Sequence, residues 1–166
     1  MENLGKAWQE FSTAPSPDKA QAIYDILPHG IDGKEVRLEV EVRNLIGQNL
    51  NVLESQIFSG DKTSLQVAFR LFTIADDSMT QGLSVILGNY LRFNCSAFLR
   101  ALKGHRSLVD NLSLILCSFQ VSMSGDPQGM ELEKKTRLKA IDYVEDEDLK
   151  DIKKECTKLL KKCKTK

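Results

Sequence analysis

The chain has 166 residues, of which 42% are hydrophobic and 28% are charged, values typical of one globular domain and not of a disordered protein. Its 23 basic and 23 acidic side chains give a formal net charge of zero, which argues against a nucleic-acid binder, because such proteins usually carry a basic excess. No stretch approaches the roughly 20 apolar residues that a membrane-spanning helix needs.

The first part of the chain predicts two short helices and one ambiguous segment. Apolar side chains recur at helical spacing over residues 3–11, and Ser16 before Pro17 is a typical helix start. This second helix ends before Pro28, in a predicted loop over residues 27–33. Over residues 35–43 apolar and charged side chains alternate, which is a strand pattern. A helix is the alternative, and we favour it because the neighbouring segments are helical and hairpin turn signals are missing.

The rest of the chain has apolar residues at spacings of three and four, interrupted by short turns rich in Asp, Ser, Asn and Gly. The spacing predicts helices from residue 48 to 119, then a loop over residues 122–129, which contain Ser, Gly and Pro. Two further helices are predicted from about residue 130 to 144 and from about residue 146 to 162. The last begins with acids and ends with lysines, as the helix dipole favours. Residues 164–166 are expected to form a frayed tail.

These segments predict an all-α fold and a single helical domain over residues 1–166. About eight short helices would form an α-hairpin stack or an irregular bundle, with a possible minor strand at residues 35–43. The alternation of helices and turns over residues 60–120 resembles that of HEAT or armadillo repeats. The resemblance includes no diagnostic motif and no fixed period, so it implies an architecture and not a family.

Four cysteines leave several pairings open. None has the CxxC spacing of a zinc knuckle or a thioredoxin-like site, and we predict no metal and no cofactor. On one helix, Cys156 and Cys163 would lie about 10 Å apart, too far to bond with each other. Cys117 with Cys156 is the candidate disulfide, and Cys95 with Cys117 is a second option. We favour four free, mostly buried thiols over either disulfide, because the chain has no visible export signal.

Eight charged residues form a candidate binding surface. The first four lie at the ends of apolar helices, where they would contact a polar ligand or cap the helices. The other four are cations within seven residues, which suit a phosphate or an acidic partner, or a helix C-terminus ended by Gly104. The eight are Arg70, Asp76, Asp77, Arg92, Arg100, Lys103, His105 and Arg106.

Two other patterns suggest chemistry less specifically. Seven lysines from residue 153 to 166 would contact nucleic acid or anionic lipid, or form the solvated side of the last helix. The apolar stripe of that helix favours the solvated interpretation. Cys95, His105 and Asp110 include the residue types of a nucleophilic set, but the local signatures of such enzymes are missing.

The sequence therefore predicts a helical protein–protein interaction module without catalytic activity, whose partner is another protein. One alternative is a small-ligand carrier or an enzyme, with a pocket between helices lined by Phe69, Phe72, Tyr90 and Phe98. Another is an exported, disulfide-stabilised helical domain. The first residues are charged and lack the apolar region of a signal peptide, so we expect a cytoplasmic protein. A periplasmic or secreted protein whose signal has been removed is the alternative.

Overall fold

The computed structural model describes residues 2–29, 38–119 and 126–164, and every regular element in these ranges is helical. The all-α prediction is confirmed. No helix among these residues is both long and apolar enough to cross a bilayer. The helices are α1 (Glu2–Thr13), α2 (Pro17–Ile26), α3 (Val40–Gln48), α4 (Leu50–Phe58), α5 (Lys62–Leu71), α6 (Asp77–Phe93), α7 (Cys95–His105), α8 (Leu112–Leu116), α9 (Pro127–Asp142) and α10 (Lys150–Lys161), with short 3-10 helices at Arg106–Leu108 and Glu147–Leu149.

Polar side chains begin several of these helices by accepting hydrogen bonds from backbone N–H groups. Ser16 accepts from the Lys19 amide at the start of α2, and Asp61 accepts from two amides at the start of α5. Asp126 accepts from the Gly129 amide at 2.9 Å, and α9 begins at Pro127. Residues 127–129 are therefore helical, which corrects the predicted loop over residues 122–129 in that part. Residues 120–125 lie outside the described ranges.

The alternating segment is a helix where it is described. Leu38, Val42 and Ile46 recur every four residues and are buried, whereas Val40 is 65% exposed. A strand would bury every second residue, so this pattern of burial is that of one helix face. The minor strand is wrong for residues 40–43, and residues 35–37 lie outside the described ranges, as do residues 30–33 of the predicted loop over 27–33. Of the predicted tail over 164–166, Lys164 is described and exposed.

The described chain divides into two compact units. Unit 1 comprises Met1–Leu83 with His105–Val109, and unit 2 comprises Ser84–Gly104 with Asp110–Lys166. In unit 1, α1 packs against α2 and α3, and α5 packs against α2 and α4. Trp8, Phe11 and Phe69 are fully buried there. A single domain over residues 1–166 stays a prediction.

A buried arginine organises unit 2, where α10 packs against α8 and α9. The Arg137 side chain is 0% exposed, and it donates to Glu133 at 2.9 Å and to the backbone carbonyls of Leu116 and Ser118 at 3.0 and 2.9 Å. Burial lowers the pKa of Arg137, and the hydrogen bond and charge of Glu133 oppose that shift. Glu133 also accepts from Arg92 at 3.0 Å. This network satisfies carbonyls at the end of α8 that have no partner within that helix.

Gly88 of α6 leaves room for this network. A Cβ atom at Gly88 would lie 2.7 Å from the Ile115 carbonyl oxygen and 2.8 Å from Nη1 of Arg137. These distances are too short for a carbon atom beside a backbone oxygen. Only glycine at this position therefore lets α6 pack this closely against the Ile115 carbonyl.

The cysteines pair differently from the prediction. Cys117 forms a disulfide with Cys163, with Cα atoms 5.5 Å apart, and Cys95 and Cys156 are buried thiols outside that disulfide. Both the candidate pair Cys117–Cys156 and the set of four free thiols are therefore wrong. The α10 helix ends at Lys161, so Cys163 lies beyond the helix, whereas Cys156 belongs to the buried face of α10. Because α10 packs against α8, Cys117, the first residue after α8, and Cys163, the second residue after α10, come within bonding distance of each other.

Replacing Arg137 with leucine should lower the free energy of unfolding by about 3–5 kcal/mol, because it leaves the carbonyls at the end of α8 unpaired and removes one of the two cations that bond the buried Glu133. Urea unfolding of the full chain measures this loss. The matched control is Arg100→Leu, which removes an exposed arginine paired with Asp146 and should cost less than about 1 kcal/mol. Equal losses for the two variants would contradict a central role for Arg137.

Candidate functional site

The eight residues of the predicted binding surface are divided between the two units. Unit 1 contains Arg70, Asp76, Asp77, His105 and Arg106, and unit 2 contains Arg92, Arg100 and Lys103.

Two of them belong to the interior of unit 1. Arg70 is 3% exposed and donates to the backbone carbonyls of Tyr24 and Leu27, at the end of α2, and to Nδ1 of His29. Its guanidinium lies 4.0 Å from the centre of the Tyr24 ring. His105 is 7% exposed, lies 3.0 Å from the Tyr24 hydroxyl and stacks on Phe69. Both side chains are thus buried, which corrects the prediction that they lie on a surface.

The other cations bond within their own units. Arg106 donates to the Val109 carbonyl at 2.6 Å in unit 1. In unit 2, Arg100 pairs with Asp146 at 2.8 Å, and Lys103 donates to the Asp148 carbonyl at 2.7 Å. These two residues line a groove of about 390 Å³ together with Asp146, Asp148 and Leu149, and their bonds there are to the Asp146 carboxylate and the Asp148 backbone carbonyl. A ligand there would have to displace existing interactions, so the groove offers little free binding capacity.

The lysines of α10 combine solvent exposure with helix capping. Lys154 and Lys158 are exposed, while Ile152 and Cys156 on the same helix are buried. Lys153 donates to the Val144 carbonyl beyond the end of α9. These positions agree with the interpretation that the lysines form the solvent-exposed side of the last helix.

A cleft of about 420 Å³ lies in unit 1, between α3 and the start of α6. Of the eight predicted surface residues, only Asp76 is among those that line it. Its lining residues are Arg43, Asn44, Gly47, Gln48, Leu50, Asp76, Ser78, Met79 and Gly82.

Two of the residues that line this cleft, Gly47 and Gly82, have no side chain to fill it. A Cβ atom at Gly47 would meet nothing within 4 Å, and one at Gly82 would lie 2.9 Å from Cδ1 of Leu50. Gly47 therefore faces open space on the α3 side, while Gly82 lets Leu50 approach α6. The Leu50 contact explains the glycine at position 82, and of these two glycines only Gly47 leaves open space in the cleft.

The cleft also contains polar groups whose bonding capacity is unused. Asn44, Gln48 and Ser78 are exposed, and their side chains make no hydrogen bond within the described part of the chain. Asp76 accepts from the Met79 amide at 2.9 Å, as a cap of α6, and pairs with Arg43 at 3.5 Å. The unused groups of the cleft are thus two amides and a hydroxyl, and its charges are paired.

The polar side chains that line this cleft can donate and accept hydrogen bonds. No histidine or cysteine is among the lining residues. Over the described ranges, no group of three or more His, Cys, Asp or Glu side chains could hold a metal ion. In unit 2, burial raises the pKa of Cys95 to about 11, which keeps this thiol protonated at neutral pH, where it is a poor nucleophile.

The sequence does not indicate this cleft, because its walls are residues 43–50 and 76–82, which meet only in the folded chain. The available signal was Asn44 and Gln48 one helical turn apart, with Gly47 on the same face. That signal depends on assigning the segment to a helix first.

Comparisons with protein-family models, with curated proteins and with solved structures find no match. The inference about function therefore depends on the geometry of the cleft.

Alanine substitutions should distinguish Gly88, where neighbouring atoms leave no room for a side chain, from Gly47, where there is open space. Gly47→Ala should raise the free energy of unfolding by up to about 1 kcal/mol, because the new Cβ meets no atom and alanine favours the helix. Gly88→Ala should lower it by roughly 1–3 kcal/mol, because its Cβ would overlap a backbone oxygen. Urea midpoints of both variants test this, and a loss for Gly47→Ala would mean that this glycine is needed by the fold.

Proposed function

We propose that this chain is a protein-interaction module without catalytic activity, and that the cleft between α3 and α6 binds a segment of the partner protein. The observation that carries the proposal is the unused bonding capacity of Asn44, Gln48 and Ser78 in an open cleft. Most of the predicted binding cations already bond within the chain, whereas these groups are available to a partner. Nucleic acid is not proposed, because the net charge is zero and the cleft pairs its own charges.

The chemistry of the cleft favours a polypeptide over a small apolar ligand. An amide side chain has both donors and an acceptor, as does the polypeptide backbone, so the two can pair reciprocally. A carrier of apolar ligands needs a mostly apolar pocket. The aromatic residues suggested for such a pocket are not among those that line the cleft, and Phe69, Tyr90 and Phe98 are buried.

Peptide selection tests the proposal. Short random-sequence peptides displayed on phage are selected against the full chain, and the dissociation constant of the best peptide is measured. Gly47→Leu should weaken binding by about ten-fold or more, because its side chain would occupy the cleft. Gly104→Leu is the matched control, since Gly104 is also an exposed helical glycine whose Cβ would meet no atom, and binding should not change. Equal affinities for both variants would exclude the cleft as the binding site.

The Cys117–Cys163 disulfide supports a second proposal, that the module acts in an oxidising compartment and not in the cytoplasm. Protein isolated from its own cells, with thiols blocked at lysis, should then show two alkylated cysteines after denaturation and four after reduction. The first two would be Cys95 and Cys156. Four alkylated cysteines before reduction would instead support the cytoplasmic expectation.

A further inference from the structure

We infer that the cleft recognises the backbone of an extended segment of the partner, with Asn44 and Gln48 pairing with alternate residues of that segment. The inference depends on the proposed function and names the conformation that the cleft accepts.

The spacing of the two amides fits an extended chain. Asn44 and Gln48 are four residues apart in α3, so their side chains share one face and are separated by about 6 Å along the helix axis. In an extended polypeptide, residues i and i+2 direct their backbone groups to the same side, and they are about 6.6 Å apart. A segment lying along α3 would therefore present one residue to each amide, and leave the residue between them facing away.

The bonding capacity of each amide fits the same partner. A carboxamide offers one oxygen acceptor and two N–H donors, so it can pair with both the N–H and the C=O of one residue. An extended segment outside a sheet has these backbone groups unpaired and needs partners for them when it binds. A helical ligand already uses them internally, so it would leave Asn44 and Gln48 without partners.

A glycine beside the two amides permits the close approach that this pairing needs. Gly47 lies on the same wall as Asn44 and Gln48, and its missing side chain leaves no atom within 4 Å of the Cβ position. A backbone that approaches a helix this closely is a recognised reason for glycine. The pairing of Arg43 with Asp76 leaves no unpaired charge among the cleft residues described, so the fit demands a conformation and not a particular charge.

N-methylation of the bound peptide tests the inference on the full chain. Each backbone N–H of the best selected peptide is replaced in turn by N–CH₃, and each dissociation constant is measured by calorimetry. We expect losses of about five-fold or more at two positions separated by one residue, which is the value of roughly one hydrogen bond each. Asn44→Ala should remove the sensitivity at one position, and Gln48→Ala should remove it at the other.

Two variants with substitutions outside the cleft serve as matched controls. Asn51→Ala and Gln9→Ala change exposed helical amides that do not line the cleft, and the methylation pattern should persist in both. Losses that are absent, that fall on adjacent positions, or that persist in Asn44→Ala and Gln48→Ala would overturn the backbone recognition while leaving the cleft as the binding site. A peptide that binds Gly47→Leu as tightly as the unsubstituted chain would overturn both proposals.

Discussion

The backbone carbonyls at the helix ends need hydrogen-bond partners, and both units depend on meeting this requirement. Helices of 5 to 17 residues give this chain many ends, and the last four carbonyls of each helix lack a partner within it. Buried guanidinium groups satisfy them, with Arg70 at the end of α2 in unit 1 and Arg137 at the end of α8 in unit 2. Each carbonyl left unpaired in an apolar interior would cost about 1–3 kcal/mol. The burial of the ends of α2 and α8 therefore depends on these two arginines.

This constraint changes how basic residues should be interpreted. A cation at the end of an apolar helix has the same appearance in the sequence whether it binds a ligand or a carbonyl. Lys103 and Arg106 donate to carbonyls, and Lys134 donates to the Cys163 carbonyl at 3.0 Å. Since the fold uses these donors, binding capacity has to be sought among groups that the fold leaves unbonded, and at the cleft those are two neutral amides and a hydroxyl.

Local signals in the sequence predict the helices. Contacts between residues that are far apart in the chain cannot be predicted from such signals. Capping and spacing identify the starts of α2 and α5, because Ser16 and Asp61 act within four residues of their own positions. The burial of Arg137 depends instead on Gly88 in α6 and on carbonyls in α8, which no spacing within α9 reveals. The disulfide partner was missed for the same reason, since the choice of Cys163 depends on where α10 ends.

The glycines distinguish what the fold needs from what the cleft offers. Gly88 is required by its surroundings, because any side chain there would overlap a backbone oxygen. Gly47 has no such neighbour, and together with Asn44 it makes α3 a weaker helix than alanine would. Natural sequences are locally consistent with their folds except at functional or strained positions. Gly47 lies one residue before the end of α3, where the fold tolerates glycine without requiring it, so the open space beside it is compatible with the proposed binding of a partner segment.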